Sequence, residues 1–172
     1  MSRLSIMTRR VLMLDRASSA NAQYANSLAS HLAIQALVAL AYFGSAKLGF
    51  LLASSTKQVT AVWPPTGIAT VSLLILGRRT WPAVFAGAFA VNLTNDTSLL
   101  ASFGIALGNT FAPVVGVHLL DRYSEFDSKL ERLSDVLSLV SIGAGFAMLL
   151  SATNGALWLA LTGIVPWSKY FS

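Results

Sequence analysis

The stretch VTAVWPPTGIA, residues 59–69, opens an apolar run that continues to Leu76. Pro64 and Pro65 are tolerated together in a helix only at its first turn, where the backbone donors that they lack would have no partner anyway. Trp63, just before them, is a residue that prefers the boundary between lipid and water. The stretch therefore predicts the start of a transmembrane helix. Irregular backbone at membrane depth must be covered by protein or face a watery cavity, so the same place is a candidate binding site.

The composition of the chain favours a membrane protein. Apolar residues make up 55% of its 172 residues and charged residues only 11%, whereas soluble domains carry about 25% charged residues. In water, such a chain would expose more apolar surface than a soluble monomer tolerates. The chain contains no cysteine, which excludes disulfides and thiolate metal sites.

Five apolar segments predict an all-α integral membrane protein, a polytopic bundle of about five transmembrane helices. They cover residues 32–53, 59–76, 81–93, 99–120 and 136–164. A membrane span needs about 20 residues, so the third segment is short and the fifth is long. We expect the sequence TNG at residues 153–155 to kink the fifth segment or break it in two.

The distribution of basic residues predicts the orientation. Residues 1–30 are expected to be a basic cytoplasmic lead-in rather than a signal peptide, because their apolar run, residues 11–14, is too short. Residues 31–172 would form the membrane domain. With the N-terminus inside, the cytoplasmic side holds Arg3, Arg9, Arg10, Arg16, Arg78, Arg79, Arg122, Lys129 and Arg132. The other side holds Lys57 and Lys169, so the positive-inside rule predicts a multi-pass protein with a cytoplasmic N-terminus.

Three stretches of the chain resemble a known family. They are residues 59–69, residues 76–93 (LGRRTWPAVFAGAFAVNL) and residues 151–163 (SATNGALWLALTG). They are similar to the bacterial membrane-associated sensor domain of the first type (MASE-one), and the resemblance covers roughly residues 32–167. It implies a sensory input domain in the bacterial inner membrane, fused to a histidine kinase, diguanylate cyclase or phosphodiesterase. It also implies further membrane segments, so we expect this chain to be incomplete at its C-terminal end.

The candidate signalling residues surround the two prolines and include one charge and one amide within predicted spans. They are Trp63, Pro64, Pro65, Thr66, Gly67, Lys47 and Asn109. Lys47 could extend its amine to the membrane surface or contact an anionic ligand. Asn109 lies in the middle of a span, where an amide needs a partner, typically on another helix. A small ligand or a partner membrane protein could engage this group of residues.

Small residues recur at every fourth position in two of the segments. The first strip is Gly104, Gly108, Ala112 and Gly116, and the second is Gly143, Ala147, Ser151 and Gly155. Each strip makes one helix face flat, so that two backbones can approach closely. Packing between helices of this chain is the simplest interpretation, and a homodimer seam or a ligand groove stays open.

The sequence lacks the residue patterns of an enzyme. It contains no Ser-His-Asp set, carboxylate pair, phosphate-binding loop or HExxH motif, so we expect no catalysis, no metal and no cofactor. The scattered basic residues lack the aromatic platform of a nucleic-acid binder, which leaves the lipid bilayer as the expected environment. The alternative function is a small-solute transporter or its membrane subunit, because helices interrupted by Pro or Gly also mark transporter sites.

Overall fold

The computed structural model describes residues 3–51, 63–124 and 126–167, with side chains from residue 25 onward. All regular elements in these residues are helical, which confirms the all-α part of the predicted fold class. The helices are α1 (Arg3–Leu51), α2 (Pro64–Ile75), α3 (Trp81–Leu93), α4 (Leu99–Tyr123), α5 (Leu133–Ser138) and α6 (Ala147–Leu161). A 3₁₀ turn, Arg78–Thr80, joins α2 to α3, and a π-helix, Leu139–Phe146, joins α5 to α6.

The chain divides into two compact units, Met1–Gln35 and Ala36–Ser172. In the first unit, the described side chains are mostly exposed. Two of them bond to their own helix, since the Ser30 hydroxyl and the His31 ring both contact the Ser27 carbonyl.

Three helical stretches among the described residues are long and apolar enough to cross a membrane. They are Ala25–Leu51, Leu99–Tyr123 and Leu133–Leu161. Helices α2 and α3 have 12 and 13 residues, fewer than the roughly 17 to 25 residues of a span. The count of about five spans is therefore not confirmed. The second predicted segment begins at residues 59–62, and these lie outside the described residues.

Helix α2 begins where the two prolines predicted it. Pro64 and Pro65 occupy its first positions, where a missing backbone donor costs nothing. The first turn closes when the Thr66 N–H donates to the Trp63 carbonyl at 3.2 Å. At the other end, Gly77 has φ 90°, a conformation that favours glycine, and the chain turns there into α3.

The fifth predicted segment does not break at residues 153–155. Helix α6 runs without interruption through this sequence. The Asn154 amide donates to the Gly104 carbonyl of α4 at 2.9 Å, so it stabilises packing between helices and does not compete for its own backbone. The irregular part of the segment is the π-helix instead, which lies upstream of the expected position.

Helix α4 is the centre of the second unit and contacts α2, α3, the π-helix and α6. Most of the buried side chains are small, and alanines predominate among them. The main core joins α1, α2, α3 and α4 through Val38, Tyr42, Ala46, Ala69, Ala83, Val84, Ala88, Val91 and Ala106. A smaller core joins α4 to α6 through Ala101, Ile105 and Leu159. Because small side chains bring helix axes close together, polar groups on facing helices can reach one another.

Candidate functional site

Four polar side chains from different elements form a continuous hydrogen-bonded set, which we call the polar network. Its members are Trp63 at the start of α2, Tyr42 of α1, Asn109 of α4 and Ser151 of α6. The sequence singled out Trp63 and Asn109 as signalling residues and Ser151 as a packing residue. The structure connects all three through Tyr42.

Tyr42 is the central member of the polar network. Its side chain is 1% exposed and hydrogen-bonds with the side chains of Trp63 and Asn109. The indole N–H is the only polar group of a tryptophan side chain, so Trp63 donates to the phenol oxygen. A buried hydroxyl without partners would be costly, and these two bonds satisfy it.

A glycine of α3 makes room for Tyr42. A Cβ atom added at Gly87 would lie 2.8 Å from the Ala39 carbonyl oxygen and 2.9 Å from the Tyr42 Cβ. Both distances are shorter than van der Waals contact, so α3 packs this closely on α1 only because residue 87 has no side chain. The position of the phenol ring therefore depends on Gly87.

Two hydrogen bonds hold α6 against α4. The Ser151 hydroxyl donates to the Asn109 side-chain oxygen at 2.6 Å, and the Asn154 amide donates to the Gly104 carbonyl at 2.9 Å. Ser151 is buried. Asn109 is therefore shared, with Tyr42 on one side and Ser151 on the other, and it connects α1 to α6 through α4.

The two small-residue strips lie where α4 and α6 cross. Added Cβ atoms at Gly104 and Gly108 would overlap Trp158 and Asn154, and one at Gly116 would lie 3.1 Å from the Ala147 Cβ. Ala112, Gly143 and Ala147 are buried. Gly155 differs, because an added Cβ there meets nothing within 4 Å.

The residues around the two prolines pack partly on α1. The Trp63 ring meets the Phe50 ring edge to face, with 5.0 Å between centroids. A Cβ added at Gly49 would lie 3.3 Å from Pro64 Cδ, and Pro65 is buried. These contacts fix the start of α2 against the end of α1.

For Thr66 and Gly67, the described residues of α1 give no packing of the kind seen for Trp63 and Pro64. The Thr66 carbonyl accepts from the Thr70 hydroxyl at 2.9 Å within α2, and Gly67 is exposed, with nothing within 4 Å of an added Cβ. The structure therefore connects Trp63 and Asn109 through Tyr42, while the hydrogen bonds of Thr66 described here join residues at the start of α2.

Lys47 contacts the end of a neighbouring helix. Its amine donates to the Thr94 carbonyl at 3.2 Å and lies 5.5 Å from the centroid of the Phe43 ring. Thr94 directly follows α3, and the C-terminal end of a helix carries a partial negative charge. Lys47 thus ties α1 to the end of α3, a role that the sequence did not suggest.

Replacing Lys47 by glutamine should destabilise the domain moderately. The Thr94 carbonyl loses a charged donor at a helix C-terminus, an interaction that contributes about 0.3–2 kcal/mol. We expect a fall of a few degrees in the melting temperature in detergent, and Lys47→Arg should restore most of it. Equal melting of the wild type and Lys47→Gln would show that this contact contributes nothing.

The connection between α2 and α3 is held by charged groups. Arg78 pairs with Asp121 at 2.5 Å and contacts the His118 ring at 3.3 Å, both near the end of α4. Arg78 belongs to the stretch at residues 76–93 that resembles the sensor family, and this pairing gives the start of that stretch a structural role. Among the described residues, no group of three or more His, Asp or Glu could hold a metal ion.

Sequence reasoning missed Tyr42 and Gly87. The signal that could have found Tyr42 is its position four residues before Ala46 and seven before Gly49, which puts it on the same face of α1 as these two small residues. A hydroxyl on a face that packs against other helices needs a polar partner. For Gly87, the sequence offers only a glycine within a helix, which by itself does not say what it faces.

Comparison with known proteins identifies the family. The family model MASE1 matches residues 34–172, a range that includes the whole polar network. No curated protein and no solved structure matches the chain. MASE1 is a membrane-associated sensor domain, sensory and not catalytic, and the helices long enough to cross a membrane agree with this. The chain therefore belongs to the MASE1 family of membrane-associated sensor domains.

Proposed function

We propose that the domain receives a stimulus near Trp63 and passes it to a signalling output by rearranging its helices, with the polar network as the link. The observation that carries this proposal is the continuity of the network. Trp63 at the start of α2 reaches Ser151 of α6 through two side chains, Tyr42 and Asn109. A change at one end alters the hydrogen-bond partners available at the other.

The energies of such a network suit a switch. A sensor needs two packings that differ by a few kcal/mol, with the stimulus preferring one of them. A hydrogen bond between membrane helices contributes about 0.6–2 kcal/mol. Exchange of one or two partners of Asn109 therefore changes the balance by the amount that a sensor requires.

The surroundings of Trp63 suggest the kind of stimulus. The residue is partly exposed, while its N–H is bonded to Tyr42 and its ring contacts Phe50. Because the N–H is the only polar group of the side chain, any exposed part of the ring is aromatic carbon. This favours an apolar small ligand or the apolar surface of a partner membrane protein.

The output and the orientation follow from the family resemblance and the charge distribution. We propose a histidine kinase, diguanylate cyclase or phosphodiesterase as the output domain. The domain would lie in the bacterial inner membrane with its N-terminus in the cytoplasm and the start of α2 toward the outer side. The positive-inside distribution of Arg and Lys supports this orientation.

Replacing Tyr42 by phenylalanine should change the output of the signalling protein that carries this domain. Removal of the hydroxyl disconnects Trp63 from Asn109 while the ring keeps its packing. Coupling free energies of 1–3 kcal/mol correspond to about fivefold or larger changes, so we expect the basal output to change by about fivefold. The measurement is phosphorylation or cyclic di-GMP level at matched amounts of membrane protein.

The matched control is Tyr123→Phe, which removes a hydroxyl from a side chain that is 76% exposed. It should leave the output unchanged. If Tyr42→Phe and Trp63→Phe both give wild-type output, the polar network has no part in signalling. A transporter would show a different result, with solute uptake changed and no effect on a signalling output.

A further inference from the structure

The π-helix between α5 and α6 is an irregularity that the proposed function does not use. Within it, the Ala147 N–H donates to the Ile142 carbonyl, five residues earlier. Just before it, the Leu139 N–H still donates to the Asp135 carbonyl, four residues earlier, as in an α-helix. A π turn holds more residues than an α turn, and such turns occur often at functional sites.

The upstream end of this segment is fixed by a carboxylate. Asp135 is 2% exposed. It accepts hydrogen bonds from the Arg132 side chain at 2.9 and 3.0 Å and from the Asp127 N–H at 3.2 Å. The side chain of one residue in α5 is thus bonded to the loop that directly precedes the helix.

The downstream end is fixed by α4. Ser151 bonds to Asn109 and Asn154 bonds to the Gly104 carbonyl, while Trp158 lies over Gly104. These contacts set the rotational position of α6. Separate contacts thus hold the two ends, since α5 is bonded to its own loop and α6 is bonded to α4, and the π-helix lies between them.

Between these two ends, the segment passes α4 at a point lined by small residues. Gly116 of α4 faces Ala147 and Gly143, and an added Cβ at Gly116 would lie 3.8 Å from both the Gly143 Cα and the Ile142 carbonyl oxygen. Gly143 in turn lies near two leucine side chains, because an added Cβ there would lie 3.1 Å from Leu139 Cδ1 and 3.8 Å from Leu120 Cδ1. A change in the helical turn here therefore moves small residues past the ends of leucine side chains, which can change rotamer.

We infer that the π-helix at Leu139–Phe146 is a register switch, which stores one extra residue as long as α6 is held by α4. When the bonds from Ser151 and Asn154 are released, the segment relaxes into an ordinary α-helix. Relaxation by one residue turns α6 by about 100° and moves it by about 1.5 Å along its axis. This rotation is the movement that α6 can transmit along the chain.

The part that this switch plays in signalling rests on the proposed function, because Asn109 is shared between Tyr42 and Ser151. A stimulus that draws Asn109 toward Tyr42 weakens the hold of α4 on α6. The switch itself does not depend on any stimulus. It can therefore be tested without an output domain.

Amide hydrogen exchange in detergent or nanodiscs, resolved by mass spectrometry, tests the switch on the full chain. In the double variant Ser151→Ala/Asn154→Ala, α6 is released, so exchange at residues 139–146 should become slower by about tenfold as the segment turns α-helical. Loss of hydrogen bonds ordinarily makes amide exchange faster, so slower exchange would not be explained by simple destabilisation. Unchanged or faster exchange in this segment would overturn the inference.

The matched control is Thr162→Ala, which removes a hydroxyl that bonds to the Trp158 carbonyl at 2.7 Å near the end of α6. It should leave exchange at residues 139–146 as in the wild type. Slowing by this control as well would mean that any lost hydroxyl has the effect, and would contradict the switch.

Deletion of Gly145 provides a second variant, because it removes the stored residue directly. Gly145 is exposed, and an added Cβ there meets only the Val140 carbonyl at 3.4 Å. The deletion should slow exchange in the segment by about tenfold with α6 still bound to α4, and it should raise the melting temperature. A folded deletion variant that still exchanges at the wild-type rate would overturn the inference. Neither readout involves a stimulus or an output, so failure of the switch and failure of the proposed function are distinguishable.

Discussion

Gly104→Leu is expected to disrupt the packing of α6 on α4. A side chain at this position overlaps the Trp158 ring, and moving the ring away strains the bond from Asn154 to the Gly104 carbonyl. Overpacking costs about 1–3 kcal/mol and occasionally more, and the direct overlap of an added Cβ with a Trp158 ring atom puts this substitution at the upper end. A cost of about 3 kcal/mol lowers the melting temperature of a chain of this size by about 6–12 °C, and we expect a fall of this size in detergent. Thermal unfolding followed by circular dichroism measures the change.

Gly155→Leu is the matched control for this substitution. The sequence analysis placed Gly155 in the second strip of small residues. A leucine at position 155 would then be expected to separate the two helices as well. In the structure, an added Cβ at Gly155 meets nothing within 4 Å, so the variant should melt at the wild-type temperature or slightly above it, because leucine favours a helix more than glycine does. Equal and large losses in both variants would mean that α6 presents a different face to α4.

Gly87→Ala should lower stability, although alanine normally stabilises a helix. In an unobstructed helix, the change from glycine to alanine stabilises the helix by about 1 kcal/mol. At Gly87 the new methyl group would lie 2.8 Å from the Ala39 carbonyl oxygen and 2.9 Å from the Tyr42 Cβ. Helix α3 must move away from α1, and overpacking by one methyl group outweighs the gain in propensity, with a net loss of about 1–2 kcal/mol.

Gly67→Ala in α2 should instead raise stability, because the added methyl group meets open space there. Thermal melts of the two variants side by side give the comparison, because both make the same chemical change within a helix. Stabilisation by both substitutions would show that α3 does not approach α1 as closely as Gly87 indicates.

Local sequence signals predicted several helix boundaries well. The segment at residues 81–93 matches α3, and α4 begins at Leu99 as predicted. The two prolines marked the start of α2. These boundaries depend on residues close together in the chain, such as a Pro in the first turn or the Ser98 side chain that accepts from the Ala101 N–H. Such signals can be read without knowing the fold.

Features that depend on distant residues could not be predicted in the same way. Nothing near Tyr42 in the sequence points to Trp63 or Asn109, because the three meet only after α1, α2 and α4 have packed. The π-helix is a similar case, since it lies between two positions fixed by separate contacts. The TNG sequence misled for the same reason, because the partner of Asn154 is the Gly104 carbonyl on another helix.

The contacts at the two ends of α3 have a consequence for how the domain is made. Arg78, just before α3, is bonded to Asp121 of α4, while Thr94, just after it, receives the amine of Lys47 from α1. A helix of 13 residues is too short to be held by the bilayer alone. One of its supports is synthesised before it and the other after it. During biogenesis, α3 therefore reaches its final place only when α4 has left the ribosome and inserted, so that assembly of the bundle follows synthesis of its central helix.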